Sequence, residues 1–149
     1  MTVMPFVSCF AVLAQTNTTH SNNETIGAAT NNVRHVIDTD GVTLTINADT
    51  TGINNNGIQL SPTLQNGTVI VGAGVTVSAN SQAIDATNTT NTTVINSGTI
   101  SAAVAKTIEL EGTNSGATVT NNAGGVITGP KNSIKLSGTT TNTTINNSG

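Results

Sequence analysis

Short runs in which polar and apolar residues alternate recur along this chain at a constant spacing. Alternation places neighbouring side chains on opposite faces of a β-strand, so each run has one apolar face and one polar face. The period is about 25 residues, and a constant period of this length is typical of solenoids and other repeat architectures. The five copies are Thr43-Leu44-Thr45-Ile46, Thr68-Val69-Ile70-Val71, Thr93-Val94-Ile95-Asn96, Thr118-Val119-Thr120-Asn121 and Thr143-Thr144-Ile145-Asn146.

Two further β-rich runs recur in each period. Three short strands per period predict an all-β fold, namely a right-handed, single-stranded parallel β-helix (β-solenoid) with about 25 residues per coil and about four coils. The second run reads Ile58-Gln59-Leu60, Ile84-Asp85-Ala86, Ile108-Glu109-Leu110 and Ile134-Lys135-Leu136, and the third reads Val75-Thr76-Val77-Ser78, Thr99-Ile100-Ser101 and Val126-Ile127-Thr128.

Stacking of the coils turns equivalent positions into columns of side chains. The second position of the first run is predicted to point inward in every copy, as the column Leu44, Val69, Val94, Val119 and Thr144. The fourth position gives a structural ladder of asparagines at Asn96, Asn121 and Asn146, whose amides can bond from coil to coil. Asparagine also tolerates the left-handed backbone of a tight corner, so we interpret this ladder as corner architecture.

The middle position of the Ile-x-Leu run gathers most of the charge. It is predicted to face water and reads Gln59, Asp85, Glu109 and Lys135, with Arg34 as an earlier member. A solvated face explains such a column more simply than a charged active groove does.

The ends of the chain differ from the repeats. Residues 1–14 are largely apolar and resemble the h-region of a signal peptide, although no Lys or Arg precedes them, and a buried capping strand is the alternative. Residues 15–32 are predicted to be a polar capping or flexible stretch, and residues 33–149 to be the β-helix repeats. Because the last repeat stops inside a corner with no capping repeat, we expect the chain to be a fragment of a longer product.

Composition and charge narrow the function. Thr, Asn and Gly contribute 30, 21 and 15 of the 149 residues, while aromatic residues are 1% and the net charge is −3. Nucleic-acid binding requires clustered cations and often aromatic platforms, and neither is present. No metal-ligand spacing, phosphate-binding loop or cofactor motif occurs, so no cofactor or small-molecule substrate is predicted.

One segment resembles a known family. The run Thr92–Ser101 is similar to the T-V-x-N-x-G-x-I unit of autotransporter passenger domains, with degenerate copies at Ala117–Thr128 and Thr143–Gly149. The resemblance covers roughly residues 43–149. It implies an exported protein at the bacterial outer-membrane surface or outside the cell, acting as a structural or adhesive stalk. Its partners would be a host surface, extracellular matrix or other bacterial cells. The resemblance implies membrane attachment only through a C-terminal barrel, and this sequence shows no aromatic-girdled strands of that kind.

Two other functions were weighed from the residues. β-helices that act on polysaccharides place carboxylates on one exposed face, so a lyase or hydrolase is the alternative to a non-catalytic protein. Ice binding needs unbroken Thr-x-Thr ranks, and here Ile70 and Ile95 interrupt them. The candidate acid-base residues are Asp38, Asp40, Asp49, Asp85, Glu109 and Glu111, with His20 and His35.

Overall fold

The computed structural model describes residues 14–149, and within this range the chain forms 19 β-strands and no helix. The signal-like segment predicted at residues 1–14 therefore lies, apart from Ala14, outside the described residues. In chain order the strands are β1 Thr16–His20, β2 Glu24–Ile26, β3 Thr30–Asn31, β4 Val33–Ile37, β5 Thr43–Ile46, β6 Thr50–Gly52, β7 Ile58–Leu60, β8 Thr68–Val71, β9 Thr76–Ala79, β10 Ile84–Asp85, β11 Thr93–Asn96, β12 Thr99–Ala102, β13 Ile108–Leu110, β14 Thr113–Ser115, β15 Thr118–Asn121, β16 Val126–Thr128, β17 Ile134–Leu136, β18 Thr139–Thr141 and β19 Thr144–Asn147.

The strands stack into three long parallel sheets, which confirms the predicted β-solenoid. We call them sheet 1 (β1-β4-β7-β10-β13-β17), sheet 2 (β2-β5-β8-β11-β15-β19) and sheet 3 (β3-β6-β9-β12-β16), and a short fourth sheet pairs β14 with β18. Every pairing is parallel, and each strand inside a long sheet bonds to its equivalents in the coils before and after it, whereas the end strands have one such partner. The described part of the chain makes about five turns.

The extra turn comes from residues that the sequence analysis assigned to a polar capping or flexible stretch. Strands β1, β2 and β3 all lie within residues 15–32 and pair with β4, β5 and β6. The repeats therefore begin before residue 33. The 25-residue period does not extend to this first coil, because the coil is shorter: Thr16 lies opposite Val33, and Glu24 opposite Leu44. Its strands also carry few apolar residues.

The interior is a narrow stack of aliphatic side chains. The inward column predicted in the first run is confirmed for Leu44, Val69, Val94 and Val119, all of which are buried. Parallel strands lie about 4.8 Å apart, so each of these side chains packs directly on its equivalent in the next coil. Val, Ile, Leu and Ala fill a core of this width without aromatic residues.

The last coil is displaced by one residue from the predicted register. The corner between β15 and β16 has four residues, whereas its counterpart between β11 and β12 has two. The following turn is one residue shorter than its counterpart, so a shift of one residue remains. Thr144 therefore lies opposite Thr118, and Ile145 opposite Val119. The prediction that Thr143–Asn146 is the fifth copy of the first run is therefore wrong by one position.

Polar side chains hold the corners of successive coils together. Asn66, Asn91 and Asn142 adopt positive φ angles of 57°, 53° and 53°, and the Asn91 amide donates to the Asn66 side-chain oxygen across 3.0 Å. The left-handed backbone at these positions suits asparagine. Gly98 occupies a tighter corner, where a β-carbon would overlap backbone carbonyl oxygens of the preceding coil.

Candidate functional site

The asparagine ladder lies inside the corner that follows sheet 2. The Asn96 amide donates to the Asn121 side-chain oxygen across 2.7 Å, and the Asn121 amide donates to Asn147 across 2.9 Å. Asn146 lies opposite Thr120 and is exposed, so the third member is Asn147 and the prediction of Asn146 is wrong. The one-residue displacement of the last coil is the reason.

These ladder amides also bond the backbone of their own corners. Asn96 accepts from the Gly98 amide at 3.2 Å and donates to the Gly98 carbonyl at 3.1 Å, while Asn121 donates to the Gly125 carbonyl at 2.9 Å. Asn96 is fully buried, and its side-chain oxygen and nitrogen are both hydrogen-bonded to the corner backbone or to the neighbouring coil. The ladder thus shapes the corner and offers little to a ligand.

Four of the five predicted members of the charged column lie in register on sheet 1, but the prediction that all of them face water is wrong for Glu109, which is buried. Gln59, Asp85, Glu109 and Lys135 occupy consecutive strands in register. Arg34 is not a member, because the coil there is shorter than the regular repeat and places Val36 opposite Gln59. Arg34 instead donates to Asn17 on β1.

Glu109 is the centre of an ionic cluster made of Lys106, Glu109, Glu111 and Lys135. One Glu109 oxygen accepts from Lys106 at 2.9 Å and from Lys135 at 3.0 Å, and the other accepts from the Gln82 amide at 2.6 Å. Lys135 also donates to Glu111 at 3.0 Å. The cluster covers the Glu109 side chain, which is only 3% exposed.

Contacts within the ionic cluster keep the Glu109 carboxylate ionised. Burial by itself raises the pKa of Glu109, but its interactions with Glu111, Gln82, Lys106 and Lys135 outweigh that effect and hold the pKa at about 2. Bonds from Glu109 and then Glu111 raise the pKa of Lys135 above its ordinary value. A general acid or base works best with a pKa near the operating pH, so these groups are poorly poised for proton transfer.

The remaining acidic candidates support neighbouring backbone or side chains. Asp40 accepts from the Gln65 amide at 2.7 Å and Asp49 from the Thr76 amide at 2.7 Å, each bond joining one coil to the next. Asp38 accepts from Ser21 and Thr39, and Asp85 from Asn56 and Thr87. Asp38 and Asp40 thus bind separate partners and are not paired around a common site.

The two histidines meet inside the first two coils, which sequence reasoning missed. His20 Nε2 lies 2.9 Å from His35 Nδ1, and His20 Nδ1 lies 2.7 Å from a Glu24 oxygen. His35 Nε2 lies 3.1 Å from the Thr30 hydroxyl. We call Glu24, His20, His35 and Thr30 the histidine relay. The available signal was the alternation of β4, which places His35 on the same face as Ile37.

Outward threonines form a continuous column on sheet 2, which we call the hydroxyl face. Thr43, Thr68, Thr93, Thr118 and Thr144 lie opposite one another on five consecutive strands. No charged residue occurs in these five strands. The second outward column contains Ile70 and Ile95 between threonines, so the Thr-x-Thr ranks needed for ice binding are interrupted, as predicted.

Within residues 14–149 the structure contains no group of three or more His, Cys, Asp and Glu side chains suited to a metal ion. The same part of the chain has no helix long and apolar enough to span a membrane. Comparison with known proteins gives no match to any protein-family model, any curated protein or any solved structure.

Proposed function

We propose that this chain is a structural and adhesive β-solenoid of an exported, autotransporter-like surface protein, and that it is non-catalytic. The observation that carries the proposal is the hydroxyl face, a straight, uncharged column of threonines running along the solenoid. It is supported by the architecture around it, in which Asn, Asp and Thr side chains bind mainly to the next coil.

The chemistry of the hydroxyl face suits broad contact with a polar surface. Each threonine offers a hydroxyl that both donates and accepts and a methyl group that packs, and the pattern repeats about every 4.8 Å along the axis. Such groups bind hydroxyl-rich or amide-rich surfaces weakly at each position and add up over several coils. A host surface, extracellular matrix or another bacterial cell presents repeated groups of this kind.

The test is an adhesion assay with matched surface variants. The purified chain is coupled to beads, and bead retention is measured on extracellular-matrix glycoproteins, on host cells and on bacteria. The triple variant Thr68→Lys, Thr93→Lys and Thr118→Lys places charge on the hydroxyl face. The matched control Thr51→Lys, Ser78→Lys and Ser101→Lys makes the same change at outward, in-register positions of sheet 3.

We expect the sheet 2 variant to lose most of its retention on at least one surface while the sheet 3 variant keeps it. Circular dichroism and melting temperature establish that both variants keep the fold. Absence of retention by the unsubstituted chain on all three surfaces would contradict the adhesive proposal. Protease digestion of intact cells that make the protein tests its location, and protection from digestion until lysis would contradict surface display.

An enzyme acting on polysaccharides is the second candidate. The observation that favours it is that Asp85 and Glu109 lie side by side on sheet 1, with Glu111 joined to them through Lys135. The low pKa of Glu109 and the full occupation of its oxygens weigh against acid-base work there. Release of reducing or unsaturated ends from a panel of acidic and neutral polysaccharides, abolished by Glu109→Gln, would replace the adhesive proposal with this one.

A further inference from the structure

The histidine relay places two titratable rings where the other coils have aliphatic side chains. His20 lies opposite Ile37 and then Leu60, while His35 lies opposite Ile58. The rings are 1% and 2% exposed, and they meet edge to edge with their centres 5.1 Å apart. Strands β1 and β4 therefore meet through a polar pair where the later strands of sheet 1 meet through aliphatic side chains.

The hydrogen-bond geometry limits how many protons the relay can hold. With both rings neutral, His20 Nδ1–H donates to Glu24 and His35 Nδ1–H donates to His20 Nε2. The single hydroxyl hydrogen of Thr30 then points to His35 Nε2 in place of Thr50. This assignment of tautomers follows from pairing each donor with an acceptor. Every ring nitrogen then has a partner.

One added proton is accommodated by reversing the bonds along the relay. His20 Nε2–H then donates to His35 Nδ1, and His35 Nε2–H donates to the Thr30 hydroxyl. Thr30 in turn donates to the Thr50 hydroxyl across 3.3 Å, and Thr50 donates to the Ala48 carbonyl at 3.4 Å. The added charge lies beside Glu24, so every bond is kept.

A second added proton cannot be accommodated by reversing hydrogen bonds in this way. With both rings doubly protonated, His20 Nε2–H and His35 Nδ1–H point at each other across the same 2.9 Å. Two donors and two positive charges then share a buried space with a single carboxylate, and that carboxylate is half exposed. Loss of a buried hydrogen bond and burial of an unpaired charge are each destabilising.

We propose that the histidine relay is an acid-sensitive latch: it holds the first coil, residues 14–31, on the solenoid while the rings carry at most one extra proton, and it releases that coil when both are protonated. The first coil is the part that can leave. Its strands pair with the solenoid on one side, and its buried residues are His20 and Ile26 alone. The first coil itself thus contributes only two buried side chains to the core.

The charged groups around the relay leave Glu24 as its main electrostatic partner among the described residues. The half-buried Arg34 on β4 donates to Asn17, and the exposed Asp38 after β4 accepts from Ser21, so both are engaged elsewhere. The strands β7, β3 and β6 contribute Ile58, Thr30 and Thr50 next to the rings, and none of these residues titrates. In this part of the chain no second carboxylate contacts the rings.

The direction of the pH effect follows from His35. Burial, and next the charge of His20, lower the pKa of His35 from 6.5 to about 4, although Glu24 acts in the opposite sense. Once the first coil has been released, His35 therefore binds a proton that it refuses while the coil is in place, between about pH 6.5 and 4. Stability of the first coil is complete above pH 6.5 and is lost as the pH falls towards 4.

Hydrogen–deuterium exchange of the whole chain, read by mass spectrometry and corrected for intrinsic rates, tests the latch. We expect the opening constant for residues 14–31 to rise about 100-fold between pH 7 and pH 4, while residues 58–121 change much less. The double variant His20→Leu and His35→Ile restores the aliphatic columns of the later coils. It should abolish the pH-dependent rise, whereas the control Arg34→Gln, which alters the contact of half-buried Arg34 with Asn17 of the first coil, should keep it.

Equal protection of the first coil at both pH values in the unsubstituted chain would overturn the proposal. So would an undiminished rise in the double variant, since the titration would then belong to carboxylates. If the double variant does not fold, a histidine NMR titration of the unsubstituted chain decides the matter. Loss of first-coil protection together with the protonation of the second ring supports the latch, and protonation of both rings without that loss refutes it.

Discussion

The buried member of the asparagine ladder is where a single substitution tests the corner architecture most directly. Asn96 is fully buried, and the equivalent positions in the preceding coils are Val71 and Ile46. Asn96→Val therefore extends an apolar column of the protein itself and keeps a side chain of similar size. What it removes is the amide, which serves the Gly98 backbone and the Asn121 side chain.

The expected cost can be worked out from the bonds that are lost. The Gly98 amide and the Asn121 side-chain oxygen both lose a buried partner. Each such orphaned group costs about 1–3 kcal/mol. The added apolar contact of valine with Val71 offsets about 1 kcal/mol. We therefore expect Asn96→Val to lower the free energy of unfolding by about 3 kcal/mol.

Urea denaturation followed by far-ultraviolet circular dichroism measures this change, provided that the denaturant slope is unchanged. Asn147→Val is the matched control, because Asn147 belongs to the same ladder but is exposed, and its loss should cost less than about 1 kcal/mol. A loss below about 0.5 kcal/mol for Asn96→Val, or equal losses for both variants, would refute a buried ladder that supports the corner.

Three further predictions concern packing and charge. Gly98→Ala should lower the free energy of unfolding by about 3 kcal/mol or more, because the added β-carbon would overlap backbone carbonyls. The control Gly27→Ala places its β-carbon in open space, so the same urea assay should show a change within about 0.5 kcal/mol. Ile100→Ala should cost about 2–5 kcal/mol since this side chain is fully buried, whereas the outward Ile95→Ala should cost less than about 1 kcal/mol; similar losses would contradict the assigned faces. The lowered pKa of Glu109 stabilises the fold above pH 4.5, and this contribution disappears as the pH falls towards 2. Acid titration of the unfolding free energy should show that loss in the unsubstituted chain and a smaller one in Glu109→Gln.

The adhesion and hydrogen-exchange experiments add two predictions that concern different parts of the molecule. The adhesion assay depends on the outer face of sheet 2, whereas the exchange assay depends on the interior between β1 and β4. The outcome of the adhesion assay therefore does not determine the outcome of the exchange assay.

The sequence by itself determined the fold class and the orientation of most side chains. A strand has a side-chain period of two, so the alternation in Thr68–Val71 or Thr93–Asn96 fixes which residues enter the core. The constant spacing of the runs then fixes which residues stack, and Leu44, Val69, Val94 and Val119 are buried as the pattern predicts. Both are local properties that a single chain displays along its length.

Only the tertiary structure decided the register where coils change length, and with it the composition of the polar sites. Because a corner of the last coil is longer, the third ladder residue is Asn147 and not the predicted Asn146. Because the first coils are shorter, Val36 and not the predicted Arg34 lies opposite Gln59 in the charged column. The pairing of His20 with His35 has the same origin, because the coil that joins them is shorter than the regular repeat. A corner can gain or lose a residue at little cost in a solenoid, since only its ends must meet the strands. Periodicity in the sequence therefore identifies the columns, while the folded corners determine which residues occupy them.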